Sequence, residues 1–204
     1  MDENPPPLEI AGFKLWKGLL ERPAQERLRD SLRAIVGDAP LVRHVTPGGR
    51  PMRVRMSAAG RLGWVSDARG YRYADRHPNG STWPPIPDQV LSLWHDLTGL
   101  DRAPDCCLIN HYDAEARMGL HQDRDEGDFS YPVLSISLGD TATFRMGGVE
   151  RRAPTRSVRL ESGDVVLMGG AARLAHHGVD RIFPGTSTLL SGGGRINLTL
   201  RVVE

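Results

Sequence analysis

The chain has 204 residues, enough for a single domain to bury a hydrophobic core without disulfides or a structural metal. Its 26 Lys and Arg residues nearly balance its 25 Asp and Glu residues, and the net charge of +1 excludes strong non-specific binding of the whole chain to a polyanion. Any contact with nucleic acid must therefore come from a local basic patch. The amino terminus is acidic and proline-rich, unlike a signal peptide, and no apolar run is long enough to span a bilayer. We expect a cytoplasmic protein with no membrane partner.

The first elements in chain order are a predicted arm and two predicted helices. Residues 1–12 are expected to form a flexible arm, because a run of three prolines favours an extended backbone. A helix is predicted over 22–36, where leucine and isoleucine spacing gives one apolar face and Gly37 follows as a stop. A second amphipathic helix is predicted over 88–98, ending at Gly99.

Between the helices, residues 44–87 are rich in Arg, Gly, Pro and aromatic residues. A long irregular segment in a compact domain is usually a binding loop or a cover, or else it contains strands that the pattern does not resolve. We interpret this segment as a lid over a substrate site.

After residue 103 the sequence changes to short segments with two-residue alternation, which is typical of antiparallel sheets. The candidate strands are 106–112, 132–139, 141–147, 156–160, 164–168, 173–179 and 194–203. So many short strands predict a double-sheet jelly roll, mainly β with flanking helices (α+β) that brace one sheet. We expect one domain over 13–204, with its β core at about 104–204.

A metal site is indicated by His121 and Asp123, which share one face of an extended backbone. This pair alone would be weak evidence, because such pairs also occur as solvated loop residues. The neighbouring His176 and His177 can add a second imidazole, and only one of them should face the metal from a strand. Two imidazoles and one carboxylate form the facial triad of non-haem iron(II) oxygenases, which leaves positions open for a chelating co-substrate and dioxygen.

Residues 195–201 alternate strictly between polar and aliphatic side chains, with Arg195, Asn197, Thr199 and Arg201 on one face. An edge strand with solvent-facing arginines is the alternative interpretation. The α-carbons of the two arginines would lie about 20 Å apart at roughly 3.3 Å per residue, and their long side chains can lean inward across that gap. Two guanidinium groups could then hold the two ends of a small dicarboxylate by charge-assisted hydrogen bonds.

Together these residues resemble the AlkB family of nucleic-acid repair dioxygenases, and the similarity runs in order from about residue 44 to 201. The stretches that carry it are VTPGG at 45–49, LGW at 62–64, GYRY at 70–73, CLINHY at 107–112, LHQDRDE at 120–126, SLG at 137–139, ESGDVV at 161–166, HG at 177–178 and RINLTLR at 195–201. The resemblance implies a double-stranded β-helix, the jelly-roll variant of such oxygenases, with a nucleotide-recognition lid at 44–87. It also implies iron(II), the co-substrate 2-oxoglutarate and O2.

The resemblance assigns ligands residue by residue. The implied iron ligands are His121, Asp123 and His177, the last because it directly precedes a glycine. Arg201 would meet the ketoacid end of 2-oxoglutarate, and Arg195 with Tyr112 would hold the distal carboxylate. Asn110, which shares a strand face with Tyr112, would donate to the co-substrate, and Asn197 would line the same wall.

A substrate pocket is implied as well. Its expected residues are Met56, Trp64, Tyr71, Tyr73, Asp125 and Glu126. Trp64 and Tyr71 would face the imidazole of His121 across a flipped base, where stacking and cation–π attraction favour a positively charged methylated ring. Asp125 and Glu126 would read the edge of the base.

The implied reaction is oxidative demethylation of N-alkylated bases such as 1-methyladenine and 3-methylcytosine in DNA or RNA. It is coupled to decarboxylation of 2-oxoglutarate to succinate and releases formaldehyde. The base must be flipped or single-stranded, and we expect a monomer. The alternatives are an iron oxygenase that acts on a protein or a small molecule, and a non-catalytic module that binds damaged bases. The complete triad and both arginines argue against the last of these.

Overall fold

The computed structural model describes residues 5–204, and this part of the chain forms thirteen strands, two α-helices and one 3-10 turn at Gly170–Ala172. The helices are α1 (Arg22–Asp38) and α2 (Asp88–Thr98). The strands are β1 (Leu8–Ile10), β2 (Phe13–Trp16), β3 (Arg55–Gly60), β4 (Gly63–Asp67), β5 (Gly70–Ala74), β6 (Cys106–Tyr112), β7 (Met118–His121), β8 (Val133–Gly139), β9 (Thr141–Met146), β10 (Arg156–Leu160), β11 (Val165–Met168), β12 (His177–Phe183) and β13 (Arg195–Arg201). Within the described residues, neither helix is long and apolar enough to cross a membrane.

The strands form two antiparallel sheets and a separate hairpin of β4 and β5. The larger sheet has the order β1-β2-β11-β8-β13-β6-β3, and the smaller has the order β10-β9-β12-β7. Side chains from both sheets share one hydrophobic cluster, in which Phe13 of β2 meets Phe144 of β9 edge to face at 6.1 Å. Because β6 to β9 alternate between the sheets, the chain winds as a double-stranded β-helix, and the predicted jelly-roll class is confirmed.

A second cluster lies on the outer face of the larger sheet, where both helices pack. Leu28 of α1 and Trp94 of α2 share this cluster with Leu198 and Leu200 of β13. The helices thus brace one sheet, as predicted, because their apolar faces cover the aliphatic side of the central strands.

β13 lies in the middle of the larger sheet and pairs on both sides, with β6 and with β8. The edge-strand interpretation is therefore excluded. Since the aliphatic residues of β13 face the helices, the alternating polar residues must face the space between the sheets. This register directs Arg195 and Arg201 into the interior.

The helix ends differ in one respect from the sequence prediction. α2 ends at Gly99, whose positive φ of 67° forms the predicted left-handed cap. α1 instead continues through Gly37 to Asp38, and the backbone N–H of Ala39 donates to the carbonyl of Ile35 at 2.8 Å. The prediction that Gly37 stops α1 was wrong, because a glycine inside a helix costs only about 1 kcal/mol relative to alanine and the buried Ile35 packs this last turn into the outer cluster.

Part of the segment expected to form a flexible arm is a strand. Residues 8–10 pair with β2 and extend the larger sheet, so the prediction of a flexible arm does not hold for them. Residues 1–4 of the expected arm lie outside the described residues. The strand was missed because three residues with a largely exposed pattern give no alternation that the sequence reveals.

The predicted lid at 44–87 divides into two parts. β3 belongs to the larger sheet, where Arg55 lies opposite His111 of β6, so this part is core rather than cover. The β4–β5 hairpin stands apart and is fixed by Trp83, whose indole N–H donates to the carbonyl of Ala74 at 2.8 Å. A Cβ on Gly63 would lie 2.3 Å from the Trp83 ring, so this glycine permits the close approach.

The predicted strand at 173–179 begins later than expected. A turn precedes it, closed by the N–H of Ala175 donating to the carbonyl of Ala172 at 3.1 Å, and β12 starts only at His177. The first residue of β12 is therefore His177, a predicted metal ligand.

Candidate metal centre and co-substrate cavity

Three side chains from two neighbouring strands and one loop meet at one point. His121 ends β7, His177 begins β12, and the two are direct partners in the antiparallel register. Asp123 follows β7 by two residues. Ligand atoms of all three lie within 4.8 Å of one another, with His121 Nε2 3.6 Å and His177 Nε2 3.8 Å from carboxylate oxygens of Asp123. This spacing allows one metal ion to be bound by all three.

Hydrogen bonds orient both imidazoles. Nδ1 of His121 lies 2.9 Å from the carbonyl of Gly119, and Nδ1 of His177 lies 3.1 Å from the carbonyl of Ala175. A carbonyl can only accept, so each Nδ1 carries the proton and each Nε2 keeps its lone pair for a metal. Burial lowers the pKa of His177 to about 4, so its imidazole is neutral at physiological pH.

The carboxylate of Asp123 is shared between two directions. Oδ1 forms an ion pair with Arg201 Nη2 at 2.8 Å, whereas Oδ2 is buried and has no hydrogen-bond partner among residues 5–204. Burial alone would raise the pKa of Asp123, but Arg201 and the two ligand histidines reverse this and hold it below its ordinary range. The carboxylate is therefore ionised, with one oxygen free for a metal.

His176 does not take part in the cluster. Its Nδ1 lies 3.3 Å from the carbonyl of Gly148, while the group that can bind a metal contains His177. The structure thus distinguishes the two adjacent histidines, because β12 begins only at His177 and His176 lies before it.

A cavity of about 740 Å³ opens beside the metal cluster. Its walls include all five residues expected to bind the co-substrate, which are Asn110, Tyr112, Arg195, Asn197 and Arg201. They come from β6 and β13, which are adjacent in the larger sheet, and Asn197 lies directly opposite Asn110 in the register. Met168 of β11 also lines this cavity.

Arg195 is a buried cation without a buried anion. It is 1% exposed, donates to Ser137 Oγ at 2.6 Å, and has no carboxylate within 4 Å among the described residues. Burial lowers its pKa to about 10, and the guanidinium stays charged at neutral pH. Burying a charge costs free energy unless the charge is paired. A ligand with a carboxylate would supply the partner that Arg195 lacks.

Unsatisfied polar atoms are concentrated in this cavity. In the described part of the chain, four buried side-chain atoms have no hydrogen-bond partner: Asn110 Oδ1, Asp123 Oδ2, Arg195 Nε and Arg201 Nε. All four residues line the cavity. Buried polar atoms without a partner are rare in native proteins, so their clustering fits a metal and a dicarboxylate as the missing partners.

The mouth of the cavity carries an aromatic pair. Trp64 of β4 stacks on Tyr71 of β5, with ring centroids 5.4 Å apart and an angle of 20° between the planes. Tyr71 is 48% exposed, and both rings line the cavity together with His121 and Met56. Asp125 lines it as well and accepts a hydrogen bond from Trp64 Nε1 at 2.8 Å.

Two expected pocket residues lie behind the cavity wall instead. The side chain of Glu126 is fully buried and forms an ion pair with Arg173 at 3.0 Å. The hydroxyl of Tyr73 donates to Glu126 and accepts from Arg201 Nη1 at 3.1 Å. Neither Tyr73 nor Glu126 is among the residues that line the cavity, so the geometry does not offer them to a base edge.

Sequence reasoning missed three residues that position this site. Ser135 and Ser137 lie opposite Thr199 and Asn197 in the register of β8 and β13. The polar alternation of the two serines within an otherwise apolar strand was a usable signal. Arg173, which donates to the backbone carbonyl of Asp123 at 2.6 Å, gave no signal because its partners are distant in sequence.

Comparison with known proteins agrees with this geometry. The family model described as 2OG-Fe(II) oxygenase superfamily matches residues 12–201, which defines the class of enzyme. The chain is 58% identical over 193 residues to an alpha-ketoglutarate-dependent dioxygenase AlkB homolog of Caulobacter vibrioides, covering 94% of this chain and 88% of that protein. It is 30% identical over 128 residues to the nucleic acid dioxygenase ALKBH1 of Homo sapiens, covering 61% of this chain and 33% of that protein. A solved structure of OsALKBH1 matches with a TM-score of 0.82 and 31% identity, covering 97% of this chain and all of that one. The chain therefore belongs to the AlkB family of 2OG-Fe(II) oxygenases.

Membership of this superfamily makes the protein a dioxygenase that uses Fe(II), 2-oxoglutarate and O2. The donor set fits, since two neutral imidazoles and a carboxylate are the facial ligands of non-haem iron(II). The buried guanidinium of Arg195 and the partly satisfied one of Arg201 fit a ligand with a carboxylate at each end.

Proposed function

We propose that this protein repairs N-alkylated bases in nucleic acid by oxidative demethylation. The observation that carries the proposal is the position of the Trp64–Tyr71 stack, which lines the same cavity as the metal cluster. An aromatic pair beside an oxidising centre suits a flat, cationic ring such as 1-methyladenine or 3-methylcytosine. The similarity to the human nucleic acid dioxygenase ALKBH1 supports the same substrate class.

In this proposal the metal is held by His121, Asp123 and His177 through Nε2, Oδ2 and Nε2. Bound iron(II), with 2-oxoglutarate and O2, supplies the oxidation that inserts one oxygen atom into a C–H bond of the N-methyl group, while the co-substrate becomes succinate and carbon dioxide. Loss of formaldehyde from the hydroxymethyl group then restores the base.

The protein's own residues bind and orient the co-substrate. Arg195, fixed by Ser137 and lying beside Tyr112, would take the distal carboxylate by paired hydrogen bonds. Arg201, which already contacts a metal ligand, would take the ketoacid end. Asn110 and Asn197 would complete this wall with neutral polar groups.

The base would lie between the Trp64–Tyr71 stack and the imidazole of His121. Stacking and cation–π attraction would favour a methylated cationic ring by about 0.5 to 2 kcal/mol. Asp125, fixed at the edge of the stack by Trp64, would add a negative charge beside that ring. A neutral, undamaged base gains neither the cation–π nor the charge contribution.

The rim of the cavity carries a local basic patch. Because the net charge of the chain is only +1, binding of nucleic acid would need such a patch. Arg53, Arg117, Arg124 and Arg151 are exposed and line the cavity. Among residues 5–204, none of these four has a carboxylate within 4 Å. Free guanidinium groups around a pocket are suited to phosphates on either side of a flipped nucleotide. DNA and RNA share these phosphates, and we propose that a monomer in the cytoplasm acts on either.

The deciding experiment measures formaldehyde release from an oligonucleotide that carries 1-methyladenine or 3-methylcytosine. We expect release that depends on added iron(II) and 2-oxoglutarate. Trp64→Ala should abolish oligonucleotide binding while the protein still consumes 2-oxoglutarate without substrate. If the iron-loaded wild type acted on no alkylated base, a protein or small-molecule substrate would replace nucleic acid. Binding of the damaged base without any formaldehyde would instead identify a non-catalytic module.

A further inference from the structure

Beside the metal cluster lies a buried set of four charged groups, of which Asp123 and Arg201 line the cavity and Glu126 and Arg173 lie behind its wall. Asp123 and Glu126 supply two carboxylates, and Arg173 and Arg201 supply two guanidinium groups. Arg173 joins the two acids, because its Nη1 donates to the backbone carbonyl of Asp123 at 2.6 Å and its Nη2 meets Glu126 Oε2 at 3.0 Å. The set is balanced in charge, as burial requires.

Both carboxylate oxygens of Glu126 are occupied within this set. Oε2 pairs with Arg173, while Oε1 accepts from the hydroxyl of Tyr73 and lies 3.5 Å from Arg201 Nε. The side chain is fully buried. A base edge in the cavity would have to displace one of these partners to reach it, and an ion pair left with one buried member is strongly unfavourable.

Arg201 contacts three side chains. Its Nη2 forms an ion pair with Asp123 at 2.8 Å and its Nη1 donates to the Tyr73 hydroxyl at 3.1 Å. Its Nε lies 3.5 Å from Glu126 Oε1, an ion-pair contact that leaves this N–H without a hydrogen bond. Asp123 is also an expected metal ligand. Among the described residues, Glu126 is therefore the carboxylate near Arg201 that is not expected to bind the metal. Without it, the planar guanidinium would be free to rotate out of the orientation that paired binding of a carboxylate needs.

We propose that Glu126 is a positioning residue that fixes Arg201 for the co-substrate, rather than a reader of the base. The proposal rests on the proposed role of Arg201 in binding 2-oxoglutarate. Glu126 acts through Arg201 and touches no reactant itself. Arg173 contacts both Glu126 and the backbone of Asp123, and so fixes the position of one relative to the other.

Tyr73 connects this set to the lid. Its Cα is the direct partner of Trp64 in the β4–β5 hairpin, so the strand that carries the Arg201 contact is paired with the strand that carries the base-stacking ring. Any change in the position of Arg201 on binding 2-oxoglutarate would reach the hairpin through this one hydroxyl, which would couple co-substrate binding to the hairpin.

The test compares two adjacent carboxylates with the same chemical change, Glu126→Gln and Asp125→Asn. Binding of 2-oxoglutarate to the Mn(II)-loaded protein is measured by calorimetry in the absence of nucleic acid. We expect about tenfold weaker binding for Glu126→Gln, because Arg201 loses one buried ion-pair contact, and wild-type binding for Asp125→Asn. Wild-type affinity in Glu126→Gln together with altered preference among methylated bases would overturn the proposal and restore the base-reading role.

Tyr73→Phe covers the case in which Glu126→Gln does not fold, because it removes only the hydroxyl and keeps the ring. It should also weaken 2-oxoglutarate binding while the thermal melting curve shows a folded protein, and unchanged affinity would count against the coupling. Arg201→Lys separates the two proposals. If Arg201→Lys binds 2-oxoglutarate normally, the proposed co-substrate site has failed. If Arg201→Lys is impaired and both Glu126→Gln and Tyr73→Phe are normal, only the positioning role has failed.

Discussion

The indole N–H of Trp64 donates to a carboxylate oxygen of Asp125 at 2.8 Å, although the two residues are 61 positions apart. One belongs to the lid hairpin and the other to the loop that carries the metal ligand Asp123. Because both line the cavity, the contact fixes a negative charge at the edge of the Trp64–Tyr71 stack. The lid and the metal loop are thus joined at the point where a substrate ring would enter.

This contact predicts a loss of charge discrimination in Asp125→Asn. The amide can still accept from Trp64, so the lid keeps its geometry while the negative charge is lost. We expect kcat/KM for oligonucleotides with a cationic methylated base to fall about fivefold, or about 1 kcal/mol, with little change for a neutral methylated base. Formaldehyde release measures both. An equal fall for both substrates would show that Asp125 acts on the lid and not on the charge of the base.

The unpaired guanidinium of Arg195 predicts that bound 2-oxoglutarate raises the free energy of unfolding. In the Mn(II)-loaded wild type, 2-oxoglutarate at a hundred times its Kd adds about 2.7 kcal/mol to the free energy of unfolding. This should raise the Tm by roughly 5 to 10 °C in a chain of this size. Arg195→Gln should lose most of the shift, because Arg201, the other buried guanidinium that lines the cavity in the described part of the chain, is assigned to the ketoacid end.

The control for this prediction is 2-oxobutyrate, which has the ketoacid end but no distal carboxylate. Wild type should respond to it weakly, and Arg195→Gln should respond to both compounds alike. A full shift with 2-oxoglutarate in the variant would place the distal carboxylate elsewhere.

The adjacent histidines predict opposite results for two alanine substitutions. His177→Ala removes an imidazole whose Nε2 faces Asp123, and we expect metal affinity to fall by more than about 100-fold. His176→Ala removes a ring that lies near the carbonyl of Gly148, and metal affinity should stay near that of wild type. Calorimetric titration with Mn(II) or Co(II) distinguishes them. Comparable losses in the two variants would contradict the assignment of His177.

Gly178 is needed because β7 approaches β12 closely at the metal site. A Cβ at this position would lie 2.6 Å from the carbonyl oxygen of Met118, and backbone cannot move aside cheaply. Gly178→Ala should therefore destabilise the fold by about 1 to 3 kcal/mol and weaken metal binding, since it separates His121 from His177. Denaturant unfolding and metal titration measure the two effects.

Gly119→Ala is the matched control, because a Cβ there meets nothing within 4 Å. It should unfold at nearly the same denaturant concentration as the wild type. Equal destabilisation of the two variants would mean that the β7 backbone, rather than the close approach, determines the effect.

The parts of the site that the sequence predicted are those with a local period. Arg195 and Arg201 share a face of β13 because side chains alternate with a period of two, and His121 and Asp123 keep this two-residue spacing although Asp123 lies just beyond β7. The segments 106–112 and 156–160 coincide with β6 and β10 for the same reason. Helix α2 was equally accessible, since its apolar face and its glycine cap are both local signals.

The parts that the sequence did not predict depend on contacts between distant segments. Glu126 looks like an exposed acidic residue until Arg173, 47 positions later, is placed against it. β3 was assigned to the lid because its small residues show no alternation, and only its pairing with β6 makes it core. Whether His176 or His177 faces the metal depends on where β12 begins, which the turn before it decides.

The central place of β13 has a consequence for the newly made protein. This strand fills the gap between β6 and β8, so the larger sheet cannot close until residues 195–201 have left the ribosome. The three metal ligands are synthesised earlier, but both arginines arrive only with this strand. The growing chain would thus contain the expected iron ligands before it contains the two arginines that we propose bind 2-oxoglutarate. If both arginines bind 2-oxoglutarate as proposed, the oxidation cannot begin until β13 has completed the larger sheet.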